Sequence, residues 1–170
     1  KWTTMRNNSV MADILRRVAP VLEEEFIDIL ALDFAWNIVL GIMPLEFEGI
    51  EDQIMEHNRK DTTAEKIDNI ERITSISEYL LESKPDFSYE NLELFSQATG
   101  QLIKYAAGDR EAENSLKPLK DLYISFVTSY YIESVKNGKV LPAIRNIKNI
   151  NAKIFTGSPE INTKLLEIVS

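Results

Sequence analysis

Apolar side chains recur along most of this chain at intervals of three and four residues, the spacing that gathers them on one face of an α-helix. Val10, Ile14, Leu15 and Val18 begin the pattern, with Ser9 placed to cap a helix and Pro20 placed to kink or restart it. From Val21 the apolar positions run through Leu22, Phe26, Ile29, Leu30 and Phe34 to Met43, on several sides of the helix. A helix apolar around most of its circumference belongs in the middle of a domain. Gly49 then breaks the pattern, and a short helix carrying Ile50 and Ile54 follows.

The remaining helices announce their ends. Thr62 and Glu65 have the spacing of a capping box ahead of Ile67, Ile70, Ile73, Ile76 and Leu80, and Pro85 stops that stripe. Ser88 caps the next helix, with Phe87 and Leu92 spaced as a hydrophobic staple. Its face continues through Phe95, Leu102, Ile103 and Ala106 to Gly108, which suits a left-handed C′ position. Asp109 caps a turn, and Pro118 opens a longer helix through Leu119, Leu122, Phe126, Tyr130 and Ser134 that Gly138 ends. Val140, Ala143, Ile144, Ile147, Ile150 and Ile154 fall within an arc of about 120°, the width of a core-facing stripe. Gly157 is the expected end of that helix, and Ser158-Pro159 supplies an N-cap and an N1 proline for a last helix carrying Ile161, Leu165 and Ile168.

No run of strict alternation and no Asn-Gly or Asp-Gly hairpin turn separates candidate strands. The fold class is therefore all-α: an irregular bundle of six or seven helices in a single domain spanning residues 1–170. A degenerate helical-repeat fragment is the alternative, although no self-similarity of roughly 34 to 47 residues stands out. The chain of 170 residues is long enough to bury a core without staples. Its first residue is Lys1, which raises the expectation of a piece from a longer chain.

Composition removes several function classes. Without cysteine there is no disulfide framework, Cys-based zinc site or thiol nucleophile, and a reducing, cytoplasmic setting is the natural reading. The net charge of −8 opposes nucleic acid as the main partner. No membrane partner is expected either, because Asp28, Asp33 and Asn37 interrupt the most apolar stretch, and an acidic residue at a bilayer centre costs about 3 kcal/mol. The Asn7-Asn8-Ser9 sequon stands without other signs of secretion. No glycine-rich phosphate loop occurs.

Candidate chemistry is sparse. His57 is the single histidine, and the residues three and four positions before it, Ile54 and Gln53, exclude a helical Glu-x-x-His di-iron motif. With Asp52 and Glu56 it could form a weak metal site, but Asn58, Arg59 and Lys60 after it read as a solvated helix end. Consecutive residues Glu23, Glu24 and Glu25 spread around a helix and do not converge. Asp28 and Asp33 sit within apolar surroundings, where each needs solvent or a partner. Tyr123 and Tyr130 share the Leu122/Phe126 side of their helix and are expected in the core, with a tyrosine-lined pocket as the other option.

Charge, by contrast, is organised. Residues 1–85 carry 17 acidic and 9 basic residues, whereas 86–170 carry 10 of each. Between Ser134 and Gly157 lie Lys136, Lys139, Arg145, Lys148 and Lys153 with no acidic residue. Arg145, Lys148 and Lys153 occupy the side of their helix opposite the isoleucine stripe. A solvated polar face is the simpler explanation of that arrangement, and an anionic partner, protein or phosphate-bearing, is the other. The function expected from the sequence is a protein-interaction or regulatory module with a protein partner, Arg145, Lys148 and Lys153 as its contact residues, and no catalytic, cofactor or metal residues. A small-ligand sensor with an apolar interhelical pocket is the alternative. Should the basic face fail, an apolar groove bordered by Phe87, Leu92 and Phe95 is the next candidate surface.

Overall fold

The computed structural model describes residues 50–82 and 87–170. They form helices joined by short turns: α1 (Ile50–Lys60), α2 (Thr63–Glu82), α3 (Tyr89–Ala106), α4 (Arg110–Ser115), α5 (Lys117–Lys136), α6 (Val140–Ile154) and α7 (Pro159–Ile168). No strand occurs among the described residues, and the chain is an all-α bundle. The expected helices before residue 50, with Glu23–Glu25, Asp28, Asp33 and the Asn7 sequon, lie outside the described residues.

Local sequence explains most helix boundaries. The Thr62 N–H donates to Glu65 Oε1 at 2.9 Å while the Glu65 N–H donates to Thr62 Oγ1 at 3.1 Å, a reciprocal capping box that opens α2. Ser88 Oγ accepts from the Asn91 N–H at 3.2 Å at the start of α3, and Asp109 Oδ1 accepts from the Ala112 N–H at 3.2 Å at the start of α4. α3 and α5 end where Gly108 and Gly138 take φ values of 86° and 72°, a conformation strained for any side chain with a Cβ.

Two boundaries depart from expectation. α6 stops at Ile154 rather than at Gly157, because Phe155 leaves the helix to become fully buried and rests its ring 5.2 Å from that of Tyr123. Core packing of one aromatic ring overrides the glycine signal. At α7 the proline stands at the helix start as expected, but the Ser158 side chain makes no capping bond.

α3 is the axis of the bundle, packed against α1, α2, α4, α5 and α6. Leu92, Phe95, Ala98, Leu102, Tyr105 and Ala106 bury its apolar positions, and burial of such side chains stabilises the fold by about 25 cal/mol per Å² of apolar surface. Ser96 and Thr99 are buried as well, and each hydroxyl returns a bond to the carbonyl four residues earlier, Leu92 at 2.6 Å and Phe95 at 2.8 Å. Because Ser96 spends its proton on Leu92, it accepts from the Tyr123 hydroxyl at 2.8 Å. Around that bond the rings of Phe95, Tyr123 and Phe126 meet edge to face, with Phe95 centred 5.5 Å from each of the other two.

Phe87 lies 5.2 Å from Phe126, and Leu92 and Phe95 are buried. Of the apolar groove expected between Phe87, Leu92 and Phe95, Leu92 and Phe95 are closed into the protein's own core, and only Phe87 borders an open cleft. Tyr123 and Tyr130 are core residues, as expected.

α6 crosses α3 at Gly100, where an added Cβ would stand 2.7 Å from Ile154 Cγ2. That branch point cannot swing aside as a long side chain would. Ala143, Ile147 and Ile150 of α6 are buried in the same contact. Gly100→Ala is expected to destabilise by about 1–3 kcal/mol in denaturant unfolding, despite alanine's higher helix propensity. Adding Ile154→Ala should leave the double variant more stable than the sum of the two single losses. Strict additivity would show that the crossing does not depend on Gly100.

Candidate functional site

α6 presents two faces of opposite character. At 100° per residue, Val140, Ala143, Ile144, Ile147, Ile150 and Ile154 turn inward, while Leu141, Pro142, Arg145, Lys148, Asn149, Ala152 and Lys153 are all exposed. The structure brings Arg145, Lys148 and Lys153 onto one solvent-facing side, as their spacing implies. Among the described residues none of the three joins an ion pair. Two lysines elsewhere have carboxylate neighbours: Lys117 meets Asp121 at 3.4 Å, and Lys164 approaches Asp121 at 3.9 Å and Glu160 at 3.7 Å.

The ends of α6 add to this potential. Its N-cap is Lys139, without a side-chain capping bond, and no acidic residue stands in its first turn. The positive end of the helix dipole therefore coincides with a cation instead of being offset by a carboxylate. One feature was hidden in the sequence: Leu141, within this same exposed side, is 72% exposed. Its apolar character placed it in no stripe, and only the orientation of α6 shows that nothing of the described fold covers it.

A second polar assembly joins the α1–α2 corner to the α3–α4 corner. His57 Nδ1 donates to Asp61 at 3.0 and 3.2 Å from the two carboxylate oxygens. The Tyr105 hydroxyl donates to Asp61 Oδ2 at 2.5 Å and accepts from Asn69 Nδ2 at 3.0 Å. Asn58 Nδ2 meets the carbonyls of Lys104, Tyr105 and Ala107 at 2.8–3.0 Å and so satisfies the end of α3. Thr63 Oγ1 donates to Asp109 Oδ2 at 2.7 Å.

This assembly corrects the view of His57 as a solvated helix end. Its side chain is 13% exposed and that of Asp61 8%, because Tyr105 lies across them from a helix more than forty residues away. The His57–Asp61 spacing is visible in the sequence, but the Tyr105 partner is not. No cluster of three His, Asp or Glu side chains arranged to hold a metal occurs among the described residues. Burial, followed by the Asp61 bond, pushes the Tyr105 hydroxyl well above its ordinary value, so it remains a proton donor. The Thr63 hydroxyl, then the Ala112 N–H, holds the Asp109 carboxyl below the usual carboxylate value. With donors and acceptors matched inside the protein, the assembly works as a pin between two corners.

Two clefts open on the surface. One of about 500 Å³ lies between the α4–α5 corner and the start of α7, lined by Glu113, Lys117, Lys120 and Glu160 together with the apolar Ile103, Leu116 and Ile161. The other, about 340 Å³, lies beside Tyr89, Tyr130, Pro142 and Asn146, where Asn146 Nδ2 donates to the Tyr130 hydroxyl at 3.0 Å. Comparison with known proteins finds no matching family model, no significantly similar curated protein and no significantly similar solved structure.

Two outcomes test the corner pin. Tyr105→Phe removes the donor to Asp61 and the acceptor of Asn69, and should lower stability by about 1–3 kcal/mol in urea unfolding. A loss near zero would show that the bonds hold nothing together. For Asp109, a depressed folded value means stabilisation that is complete above the unfolded carboxylate value of about 3.9 and lost as pH falls through the folded value. The stability advantage of the native chain over Asp109→Asn should accordingly be constant above about pH 5 and shrink as the pH falls below it, through the unfolded and then the folded value. A pH-independent difference would contradict it.

Proposed function

We propose that this chain is a protein-interaction module without catalytic activity, and that the exposed side of α6 is its contact surface for an acidic protein partner. The observation that carries the reading is the set of three exposed cations, Arg145, Lys148 and Lys153, in a segment from 134 to 157 without a carboxylate. A face shaped only by solubility mixes both signs, as α5 and α7 do through Lys117, Asp121, Glu160 and Lys164. Like charge without a neighbouring carboxylate adds nothing to helix stability at Arg145 and Lys148, but it complements an acidic surface. A cytoplasmic setting belongs to the same proposal.

The rival reading is a sensor of small apolar ligands. Of the tyrosines that would line its pocket, Tyr123 fills the core, whereas Tyr130 borders the smaller cleft together with Phe87 and Tyr89, and the larger cleft mixes charged side chains with Ile103, Leu116 and Ile161. No described helix is long and apolar enough to cross a membrane.

Replacing Arg145, Lys148 and Lys153 together by glutamate tests the proposal. The exposed positions predict stability changes of only about 0.5 kcal/mol each, so circular dichroism and thermal unfolding should stay close to those of the native chain. Partners retained by the native chain from its source cells should be lost by the variant, and their retention should weaken as salt rises past physiological strength. Equal retention by a folded variant would remove α6 as the contact surface.

A further inference from the structure

Leu141, Arg145, Lys148 and Ala152 recur at i, i+4, i+7 and i+11, so they form one ridge about 16 Å long on the exposed side of α6. The ridge is chemically graded. A leucine that is 72% exposed stands at one end, two cations follow, and an exposed alanine stands at the other end beside Lys153. We propose that the partner element recognised by this ridge is an acidic amphipathic α-helix, with carboxylates at helical spacing facing Arg145, Lys148 and Lys153 and an apolar side chain covering Leu141. This inference rests on the reading of α6 as the contact surface and goes further by specifying what lies on it.

Three features favour that occupant. Charge complementarity selects a polyanion, and Leu141 selects among polyanions, because a nucleic-acid backbone presents phosphate where the leucine needs an apolar neighbour. An extended peptide held through its backbone needs a sheet edge, a proline-rich one needs an aromatic groove, and an acidic one held by cations alone leaves Leu141 uncovered. The backbone groups of α6 are already paired within the helix, and the ridge is convex, so a second helix packing ridge into groove is the geometry it accepts. An anionic membrane would require a broad apolar face flanked by cations. Here a cation, Arg145, stands at the centre of the exposed side with Lys148 and Lys153 toward its two edges, and Leu141 is its one large aliphatic residue, in a chain of net charge −8.

The test uses the full chain and synthetic probes, with binding followed by titration calorimetry and by amide chemical shifts in α6. The first probe is a panel of helical peptides carrying glutamates at i, i+4 and i+7, with one leucine stepped through successive positions around the helix. The others are polyglutamate of equal charge and phosphatidylserine vesicles. The expected result is that one leucine position binds at least about ten times more tightly than polyglutamate, and that Leu141→Ser abolishes this advantage while leaving polyglutamate binding unchanged. The triple Arg145→Glu, Lys148→Glu, Lys153→Glu variant should bind neither. Leu141→Ser changes an exposed side chain, and its circular dichroism should match the native chain.

If all peptides bind only as polyglutamate does, and the triple variant abolishes that binding, the amphipathic-helix inference is overturned while α6 remains the contact surface. If vesicles bind through Leu141 and peptides do not, the occupant is a membrane and the inference is again overturned. Binding that survives in the triple variant, or no binding by any probe, overturns both.

Discussion

The close crossing of α3 and α6 at Gly100 governs the geometry of this protein. With no Cβ at that position, Ile154 approaches the α3 backbone to a distance that an alanine would forbid. Ala143, Ile147 and Ile150 are buried as α6 packs against α3, α5 and α7, and that burial fixes the rotation of α6 about its own axis. A helix held in that rotation has no freedom over what it shows to solvent. The side opposite the isoleucines, with Leu141, Arg145, Lys148 and Lys153, is outward because the inward side is committed. The exposed basic side of α6 is thus a consequence of core packing rather than an appendage to it.

The same core explains why the protein's chemistry lies on the outside. On the buried side of α3, Ser96 and Thr99 close their hydroxyl bonds within the helix, and the Tyr123 hydroxyl donates to Ser96. Buried polar groups satisfied in this way stabilise and specify packing, and they have little capacity left for a ligand. His57, Asp61, Tyr105 and Asn69 look reactive as residue types, yet their bonds run to one another across two helix corners. A carboxylate that holds a histidine and a tyrosine at once is an anchor. What remains open to a partner is convex and charged.

Several elements were legible in the sequence because short-range physics sets them. The Thr62/Glu65 box, the Ser88 and Asp109 caps and the left-handed glycines 108 and 138 each depend on atoms within a turn or two of one another. The inward stripe of α6 was legible for a related reason: a helix must bury its apolar side whatever it packs against. Arg145, Lys148 and Lys153 followed as the complement of that stripe.

Where contacts between distant segments decide, the sequence was silent or misleading. Phe155 ended α6 ahead of Gly157 because a ring fits beside Tyr123, and Leu92 and Phe95 became core instead of groove because Phe126 packs against Phe87 and Phe95. His57 moved from solvent into a network because Tyr105 reaches it across the bundle. Leu141 was counted in no pattern until tertiary structure left it uncovered. Helix periodicity and capping are properties of neighbouring residues, so the sequence by itself determined the all-α fold, its described helices and the basic side of α6. Which helix passes which, and therefore what is buried, paired or left bare, depends on shape complementarity between residues far apart in the chain, and only the tertiary structure decided it.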